Sequence, residues 1–500
     1  MQLLPYQCSD AFDELIDEAG EPRSVAVELA RRLNALPQDE LARRQKAAEY
    51  TLFESGITFS VYSENDGSTE RIIPFDVIPR IISGSDWDAL EEGLVQRITA
   101  LNLFVEDIYH DQQIIRDGVI PERFVDLGQA TWAACRGIRP PGGVWCHISG
   151  IDLVRDRDGG FCVLEDNLRC PSGVSYVLEN RSILKQTFPR VFDTLNVRSV
   201  DDYPEHLLKM LQSLRPGGVD HPRVVVMTPG IYNSAYFEHA YLAQQMGVPL
   251  VEGSDLVVHG GYVHMRTTAG LSRVDVIYRR IDDAFMDPKV YRPDSALGVP
   301  GIMSVYKEGR VALANAPGTG IADNKVIYTF VPDMIRYYLK QEPKLRNVES
   351  YLCSIDAQRQ HVLENLASLV VKPAHEAGGK GIVIGPHASR EQLEEVAEQI
   401  KADPDNWIGQ PVLSLSTVPT ICGATIEARH VDLRPYILLG PDGCKVIPGG
   451  LTRVALRKGS LIVNSSQGGG TKDTWVLDEQ GRATSAAVAQ PAFSKAGGGV

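Results

Sequence analysis

Two carboxylates and an amide in the segment IDLVRDRDGGFCVLEDNLRCPSG have the spacing of a metal site on a hairpin. If a two-residue turn forms at 158–159, Asp152 lies opposite Glu165 on the neighbouring strand. Because side chains alternate along a strand, Asn167 shares the face of Glu165, and Asp166 points away. Two like charges this close favour a bound cation, and oxygen ligands select a hard ion such as Mg²⁺. A solvated polar hairpin explains the same residues equally well.

A second segment, VVKPAHEAGGKGIVIG, combines lysines and glycines between two β-rich runs. The glycines would let backbone N–H groups approach phosphate oxygens, and the lysines add positive charge. The residues concerned are Gly378, Gly379, Gly381, Lys372 and Lys380. The segment has no G-K-[ST] and continues as a strand, which excludes a P-loop and a dinucleotide-binding fold. We interpret it as a flexible flap over a nucleotide, with an ordinary glycine-rich hairpin as the alternative.

Arginines recur later, in ARHVDLRPYILL and PGGLTRVALRKG. Alternation puts Asp432 and Arg434 on one face of a strand, where the arginine could bridge phosphate oxygens. Arg453 follows on the returning segment. Surface ion pairs are the alternative explanation for both arginines.

The elements around these residues include a β-α-β unit. VVVMTPG is typical of a short buried strand, AYFEHAYLAQQM has a helical pattern, and PLVEGSDLVV returns to strand character. The loop at the carboxyl end of the first strand carries Asn233, Ser234 and Tyr236. A later strand ends at Arg279 and Arg280, of which alternation allows one to face a cleft. Pairing of these arginines with nearby aspartates is the alternative.

Length and composition limit the class of protein. At 500 residues and 43% hydrophobic, the chain is long enough for two or three domains that share an interface. The net charge of −14 argues against a general binder of nucleic acid or membrane surfaces. The sequence has no apolar run of about 18 residues and no basic, then apolar, N-terminus. Its cysteines form no C-x-x-C pair, so we expect a cytoplasmic protein with reduced thiols.

The spacing of the phosphate-type residues resembles the ATP-grasp superfamily, in an unusual order. Lys325, in an Asp-Asn-Lys run, precedes Lys372 by 47 positions, and Gln410 follows 38 positions later. Both gaps suit that superfamily. The residues that resemble its metal ligands, Asp152 and Glu165, normally come last and here come first. This order is what a circular permutation would produce.

More specifically, the chain resembles the circularly permuted ATP-grasp type 2 family, relatives of the glutathionylspermidine synthetase amide-ligase domain. The resemblance extends from about residue 55 to 478. Its motifs are EDNLRCPSGVSYVLENR, TPGIYNSAYFEHAYLAQQMGVPLVEGSDLVV, VIYRRIDDAFMDP, LANAPGTGIADNK and SSQGGGTKDTW. It implies an α/β protein with a permuted ATP-grasp fold and an inserted Rossmann-like β-α-β domain. It also implies ATP-dependent joining of a carboxylate to an amine through an acyl phosphate.

The resemblance implies a role for each candidate residue. Asp152, Glu165 and Asn167 would bind one or two Mg²⁺ ions. ATP would contact Lys325, Lys372, Gly378, Gly379, Lys380, Gly381 and Gln410, the last through an amide oxygen that faces adenine. The candidate catalytic residues, which would stabilise the transferring group or reach a substrate carboxylate, are Arg434, Arg453 and Arg169. The candidate substrate-binding residues are Ser172, Asn233, Ser234, Tyr236, Arg279 and Arg280.

We expect the chain to divide at 1–200, 201–310, 311–480 and 481–500. These would be an N-terminal and metal-binding part, a Rossmann-like substrate domain, a nucleotide-binding region with the flap, and a flexible tail. The expected partners are a small-molecule or peptide carboxylate and an amine, with no nucleic acid and no membrane. Glu238 or Asp283 could attract a cationic amine. A phosphotransferase that uses the same ATP site and a non-catalytic ATP-binding scaffold are the alternative functions.

Overall fold

The computed structural model describes residues 3, 6, 8, 10–37, 39–63, 67–125, 130–374, 381–461, 463 and 469–478. Among these residues the helices are α1 (Val27–Asn34), α2 (Glu40–Glu54), α3 (Gly84–Tyr109), α4 (Gln113–Arg116), α5 (Ala130–Ala133), α6 (Val174–Thr187), α7 (Pro189–Thr194), α8 (Tyr203–Ser213), α9 (Tyr236–Met246), α10 (Asp283–Met286), α11 (Ile302–Lys307), α12 (Lys325–Tyr328), α13 (Val331–Met334), α14 (Asp356–Glu364) and α15 (Arg390–Ala402).

The strands of the same residues are β1 (Thr58–Ser63), β2 (Gly67–Ile72), β3 (Phe75–Ser83), β4 (Ile148–Arg155), β5 (Phe161–Asn167), β6 (Val224–Met227), β7 (Leu250–Val251), β8 (Leu256–His259), β9 (Tyr262–Thr267), β10 (Gly270–Val274), β11 (Val276–Arg279), β12 (Ala312–Ala314), β13 (Arg346–Asn347), β14 (Tyr351–Leu352), β15 (Leu369–Pro373), β16 (Val383–Ile384), β17 (Trp407–Pro411), β18 (Thr417–Cys422), β19 (Thr425–Arg434), β20 (Tyr436–Gly440), β21 (Gly443–Val446), β22 (Leu451–Val454) and β23 (Gly470–Leu477).

A large sheet joins strands that are far apart in sequence. Its order is β13-β5-β4-β19-β22-β23-β3, with β18 beside β19 and the β20–β21 hairpin beside β4. The pairs β4–β19, β19–β22 and β22–β23 are antiparallel, and β3 runs parallel to β23. Asp432 on β19 pairs directly with Arg453 on β22. The sheet therefore brings the segment around residue 150 next to the segments around 430 and 450.

The hairpin of β4 and β5 keeps the predicted pairing with a different turn. Asp152 pairs with Glu165, as predicted. The predicted two-residue turn is wrong, because the strands end at Arg155 and Phe161 and leave a longer loop. That loop shifts the register by one residue, and a bulge at Leu164, between Asp152 and Leu153 on the partner strand, shifts it back.

Helix α3 packs behind this hairpin. The Ser83 hydroxyl caps its first turn by accepting a hydrogen bond of 3.0 Å from the Asp86 amide. From the middle of the helix, Arg97 donates two hydrogen bonds of 2.7 Å to Asp166 of β5, and both side chains are buried. Asp166 therefore points away from Glu165, as alternation predicted.

A parallel sheet follows in the order β12-β11-β6-β7. The chain passes from β6 through α9 to β7 and then returns to place β11 on the other side of β6. This is the expected β-α-β unit. The change of direction between β6 and β11 creates the kind of crevice at which open α/β sheets bind ligands. A separate antiparallel sheet, β10-β9-β8, extends from this part of the chain.

A smaller sheet, β14-β17-β15-β16, carries Lys372 and Gln410. Strands β15 and β17 are antiparallel, with Val370 opposite Gln410. Helix α14 packs closely against β17, because a Cβ atom at Gly409 would lie 2.6 Å from a methyl carbon of Val362. A hydrophobic cluster holds the layer together and includes Cys353, Val362, Val371, Val396, Ile400 and Trp407. In the described part of the chain, no helix is long and apolar enough to cross a membrane.

Candidate active site

A cavity of about 430 Å³ lies between the large sheet and the smaller sheet. It brings together residues from seven strands and two helices, although the lining residues lie as far apart in the sequence as Asp152 and Val463. The polar lining residues that the sequence singled out are Asp152, Glu165, Lys325, Lys372, Gln410 and Arg453. Carboxylates thus lie on the side of the large sheet, and the lysines lie on the opposite side.

Asp152 is held by two arginines. Arg434 donates to both of its carboxylate oxygens, with an Nη2–Oδ2 distance of 2.8 Å, and Arg453 donates to Oδ2 over 2.6 Å. Burial opposes ionisation of Asp152, but the two guanidiniums outweigh it and keep the pKa of this carboxyl well below its usual value. Gly150 leaves room for this pairing, since a Cβ atom there would lie 3.0 Å from Cδ of Arg434.

Asp432 is a cavity residue to which the sequence assigned no role. Nε of Arg453 donates to both of its oxygens, at 2.9 and 3.0 Å, so Asp432 fixes the guanidinium that also reaches Asp152. Burial raises the pKa of Asp432, and the charge of Arg453 opposes that rise. The alternation that placed Asp432 beside Arg434 was the signal that could have identified it.

Glu165 faces the cavity and exposes 36% of its side chain. Burial and the neighbouring charge of Asp152 raise the pKa of Glu165, while Arg434 and the lysines lower it. Across the cavity, burial lowers the pKa of Lys372 to about 8, although the attraction of Glu165 opposes this change. Lys372 is 9% exposed and therefore has little water around its charge. A charge added to the cavity should therefore change the protonation of both side chains strongly.

The oxygen donors fit a loosely held Mg²⁺ ion. Asn167 lies two residues beyond Glu165 on the same strand, next to the cavity lining and not part of it, and its Nδ2 atom is buried with no hydrogen-bond partner among the described residues. Asp152 is the third donor, but its oxygens are already bound by arginines. The described residues include no group of three or more His, Cys, Asp or Glu side chains suited to a metal. This donor set suits an ion that completes its shell with water and phosphate oxygens.

The Asp-Asn-Lys run forms a corner that connects the lysine to the carboxylate strand. Asp323 accepts hydrogen bonds from the Leu168 amide and, over 2.7 Å, from Nε of Arg169. Asn324 caps α12, with its Oδ1 accepting from the Val326 amide at 2.7 Å. Lys325 is the first residue of this helix and lines the cavity. The three residues of the run therefore have different roles: the first binds the carboxylate strand, the second caps the helix and the third lines the cavity.

Part of the cavity lining is apolar and includes one amide. Its apolar lining includes Leu164, Val348, Val370, Ile382, Leu413 and Leu415. Gln410 is 2% exposed, and its Nε2 donates to the Ser350 hydroxyl over 2.9 Å. Gly381 has a φ of +70°, a left-handed conformation that favours glycine. The other predicted flap residues, Gly378, Gly379 and Lys380, lie outside the described residues.

The candidate substrate-binding residues and the candidate catalytic residue Arg169 do not line this cavity. Arg169 pairs with Asp323 and, over 3.3 Å, with Asp282. The Ser172 carbonyl accepts a hydrogen bond of 2.7 Å from the Tyr436 hydroxyl. Asn233 and Ser234 lie in the loop before α9 and Tyr236 is the first residue of that helix; all three are partly exposed. Oδ1 of Asn233 accepts from the Ala235 amide, so this side chain stabilises the start of the helix.

The structure corrects the expectation that Arg279 or Arg280 faces a cleft, because both are buried. Arg279 forms an ion pair of 2.7 Å with Asp283, and Arg280 one of 2.8 Å with Glu238. The same contacts correct the expectation that Glu238 or Asp283 attracts an amine, since each carboxylate already neutralises an arginine. Glu238 also accepts from the Gly173 amide and thereby fixes the start of α6.

Relatives match nearly the whole chain. An uncharacterized protein of Synechocystis sp. is 58% identical over 477 residues, which are 95% of this chain and 99% of that protein. An uncharacterized protein of Mycobacterium tuberculosis is 50% identical over 476 residues, 94% of this chain and 86% of that protein. A Frankia alni protein with the provisional name glutamate–cysteine ligase 2-3 is 43% identical over 468 residues, 93% of this chain. The match covers 54% of that protein, so this chain spans about half of its length.

Among solved structures, a glutathione synthetase-like effector from Globodera pallida, in its apo form, has a similar fold. The TM-score is 0.57 at 12% identity, over 88% of this chain and 98% of that chain. The expected mixed α/β fold is thus confirmed. The sequence profile of the circularly permuted ATP-grasp type 2 family matches residues 79–455, within the region of about 55 to 478 over which the resemblance extends. With its carboxylates early and its cavity lysines late in the sequence, the chain belongs to the circularly permuted ATP-grasp type 2 family.

Proposed function

We propose that this protein is an ATP-dependent ligase that joins a carboxylate to an amine through an acyl phosphate. The observation that carries the proposal is the arrangement of Asp152 and Glu165 opposite Lys325 and Lys372 around one cavity. Phosphoryl transfer depends mainly on positioning and on charge neutralisation, and this cavity offers groups for both. Membership of an ATP-grasp family supports the same nucleotide.

In the proposed arrangement, the polyphosphate of ATP lies between the lysines and the carboxylates. Lys325 and Lys372 bind phosphate oxygens, and Lys372 gains a counter-charge that favours its protonated form. Glu165 and Asn167, with Asp152, would hold Mg²⁺. When it is bound, this ion neutralises charge on the β- and γ-phosphates. The apolar part of the lining would exclude water from the base, with Gln410 as its polar contact.

The arginines have a second task in this proposal. Arg453 lines the cavity, and Arg434, outside the lining, pairs with Asp152. A guanidinium can bind two oxygens of a phosphoryl group at once, so Arg453 is placed to stabilise the group in transfer. Its present partners, Asp152 and Asp432, keep that guanidinium in one position before the nucleotide arrives.

Two substrate pairs are the first to test. The first pair is glutamate with cysteine, which the name of the Frankia alni relative suggests; this chain matches about half of that protein. A glutathione-like carboxylate with a polyamine follows from the resemblance to the glutathionylspermidine synthetase amide-ligase domain. A wider set of carboxylates and amines then completes the screen.

The test measures ADP release in the presence of Mg²⁺ and ATP, with mass detection of the joined product. We expect ADP release that requires both a carboxylate and an amine. Release with a carboxylate alone and a stable phosphorylated product would identify a phosphotransferase instead. Nucleotide binding with no ADP release for any pair would contradict the ligase and favour a scaffold.

The variant Glu165→Gln should lose at least about a hundredfold in ADP release, because it removes a charged metal ligand from the cavity. The fold should be unchanged, since the Glu165 side chain is 36% exposed and the substitution keeps its size. Glu427→Gln is the matched control: it is the same substitution on the large sheet, at a side chain of 35% exposure outside the cavity lining. Equal rates for the two variants at limiting Mg²⁺ would refute the role of Glu165.

A further inference from the structure

A second cavity, of about 410 Å³, lies where α1 and α2 meet the corner between α6 and α7. Its lining shares no residue with the cavity of the candidate active site. Four of its lining residues are arginines, and none is acidic. We refer to it as the arginine groove, defined by Arg31, Arg32, Arg44 and Arg190.

Positive charge in the groove is only partly neutralised. Glu28 is the ion-pair partner of both Arg31 and Arg32, with N–O distances of 2.7 and 2.6 Å. In the same way Glu40 serves both Arg43 and Arg44. The chain as a whole has a net charge of −14, so the groove is opposite in sign to the molecule's net charge. Such a concave patch attracts anions and raises their local concentration.

Arg44, one of the lining residues of the groove, is fixed in position by its contacts. Its Nε donates to Glu40 over 2.8 Å, and its Nη1 donates to the Thr187 carbonyl. The guanidinium carbon lies 4.9 Å from the centre of the Phe188 ring. These contacts orient the remaining Nη2 group, which has no acceptor among the described residues. A guanidinium held in this way loses little freedom when it binds a second partner.

The floor of the groove is apolar. Leu33, Phe188 and Val191 line it and are buried beneath the arginines. A cavity of this size, with an apolar floor and a few converging charged groups, is typical of a site for a small organic ligand. Guanidinium groups match phosphate and carboxylate oxygens in geometry and charge.

We propose that the arginine groove is a binding site for a small organic anion that carries at least two negative charges on phosphate or carboxylate groups. The charged groups bind Arg31, Arg44 and Arg190, and the carbon skeleton lies on the apolar floor. The site is independent of the ATP cavity and of the ligase chemistry.

The test titrates the full chain with inorganic pyrophosphate and, separately, with citrate, by calorimetry at low salt and without divalent metal. The double variant Arg31→Ala/Arg190→Ala removes two exposed guanidiniums, which leaves the fold intact, as circular dichroism can verify. We expect this variant to bind its preferred probe at least about tenfold more weakly, because charge-assisted hydrogen bonds are lost. Preference for pyrophosphate identifies a phosphate ligand, and preference for citrate identifies a carboxylate ligand.

Two controls separate the groove from other sources of binding. Lys209→Ala/Lys401→Ala removes two equally exposed charges, each paired within its own helix, and should bind like the parent chain. Lys372→Ala alters the ATP cavity, where phosphate oxygens are also proposed to bind, and should keep the binding event that the arginine double variant weakens. Absence of binding by both probes would overturn the proposal. So would an equal loss in the lysine double variant, or a loss in Lys372→Ala while the arginine double variant binds normally.

Discussion

At the scale of single residues, the buried charges of the candidate site balance within a small group. Asp152 and Asp432 face Arg434 and Arg453, so two negative and two positive charges meet with little water present. Such a group is costly to leave incomplete, because an uncompensated buried charge destabilises the fold. Incoming phosphates would compete with the carboxylates for the arginines, while a metal would compete with the arginines for Asp152. The resting ion pairs therefore keep both sets of groups in position for either partner.

A second feature at this scale concerns the choice of base. The Ser350 hydroxyl donates to the Val348 carbonyl over 3.0 Å and accepts from Nε2 of Gln410 over 2.9 Å. With its amino group engaged, Gln410 can present its amide oxygen to a ligand. An acceptor at this point suits the amino group of adenine and opposes the carbonyl oxygen of guanine.

Replacing Ser350 with alanine should therefore weaken nucleotide selection. Without the hydroxyl, the amide of Gln410 can turn and offer its amino group to guanine. We expect the preference for ATP over GTP, measured as the ratio of their kcat/KM values, to fall about tenfold. Gln410→Glu is the informative comparison, because a carboxylate has acceptors only and should keep the preference for ATP. An unchanged ratio in Ser350→Ala would remove Ser350 from base selection.

At the scale of elements, the β4–β5 hairpin shows what a sequence can and cannot predict. The pairing of Asp152 with Glu165 was predicted from a two-residue turn, and that turn is wrong. The pairing survives because the bulge at Leu164 cancels the shift that the longer loop introduces. Alternation alone cannot reveal a bulge, since the extra residue looks like any other strand residue. Alternation would also place Leu164 and Glu165 on opposite faces of the strand, whereas both line the cavity.

The Asp-Asn-Lys corner is the element-scale link between the two sides of the cavity. Asp323→Ala should leave the Leu168 amide and the Arg169 guanidinium without an acceptor, which lowers the free energy of unfolding by about 2 kcal/mol. Lys325, two residues later, should lose its fixed position, so we expect a higher KM for ATP. Urea unfolding and ADP-release kinetics measure the two effects.

A comparison variant makes this prediction specific. Asp323→Asn keeps one acceptor oxygen for the Leu168 amide and should recover part of the lost stability. If both variants bound ATP like the parent chain, the corner would have no part in placing Lys325. A loss of stability with unchanged KM would limit Asp323 to a structural role.

At the scale of the whole molecule, motif spacing predicted which distant segments meet at the cavity better than it predicted the buried ion pairs next to it. Residues near 152, 325, 372, 410 and 453 meet around one cavity, as the permuted order implied. For Arg279 the sequence offered pairing with a nearby aspartate as the alternative, and Asp283 is that partner, whereas Glu238, the distant partner of Arg280, could not be predicted in this way. Nothing in a single sequence distinguishes an arginine that faces a ligand from one that a distant carboxylate neutralises. That distinction depends on packing between elements far apart in the chain.

The interior also contains two histidines whose neutral form the fold requires. His147 is buried, and neither of its ring nitrogens has a hydrogen-bond partner among the described residues. Burial, with a contribution from Arg279, lowers its pKa to about 3. Burial, with a contribution from Arg280, lowers the pKa of His239 to about 2, and its Nδ1 lies 2.9 Å from the Thr228 hydroxyl. Both rings are therefore uncharged in the folded protein under ordinary conditions.

These shifts predict a loss of stability in mild acid. In the unfolded chain a histidine takes up a proton below about pH 6.5, whereas His147 in the folded protein does not, so the unfolded state binds more protons. The stability that the neutral ring supports is complete above about pH 6.5 and decreases as the pH falls towards 3. At about pH 5 each histidine lowers the free energy of unfolding by about 2 kcal/mol relative to neutral pH.

Urea unfolding at several pH values should show that His147→Phe, which keeps an aromatic ring without a titrating group, loses about 2 kcal/mol less between neutral pH and pH 5 than the parent chain. His206→Phe makes the same substitution at a half-exposed ring on α8 and should change this pH dependence less. Parallel stability curves for His147→Phe and the parent chain would show that His147 is protonated in the folded protein, contrary to its buried position.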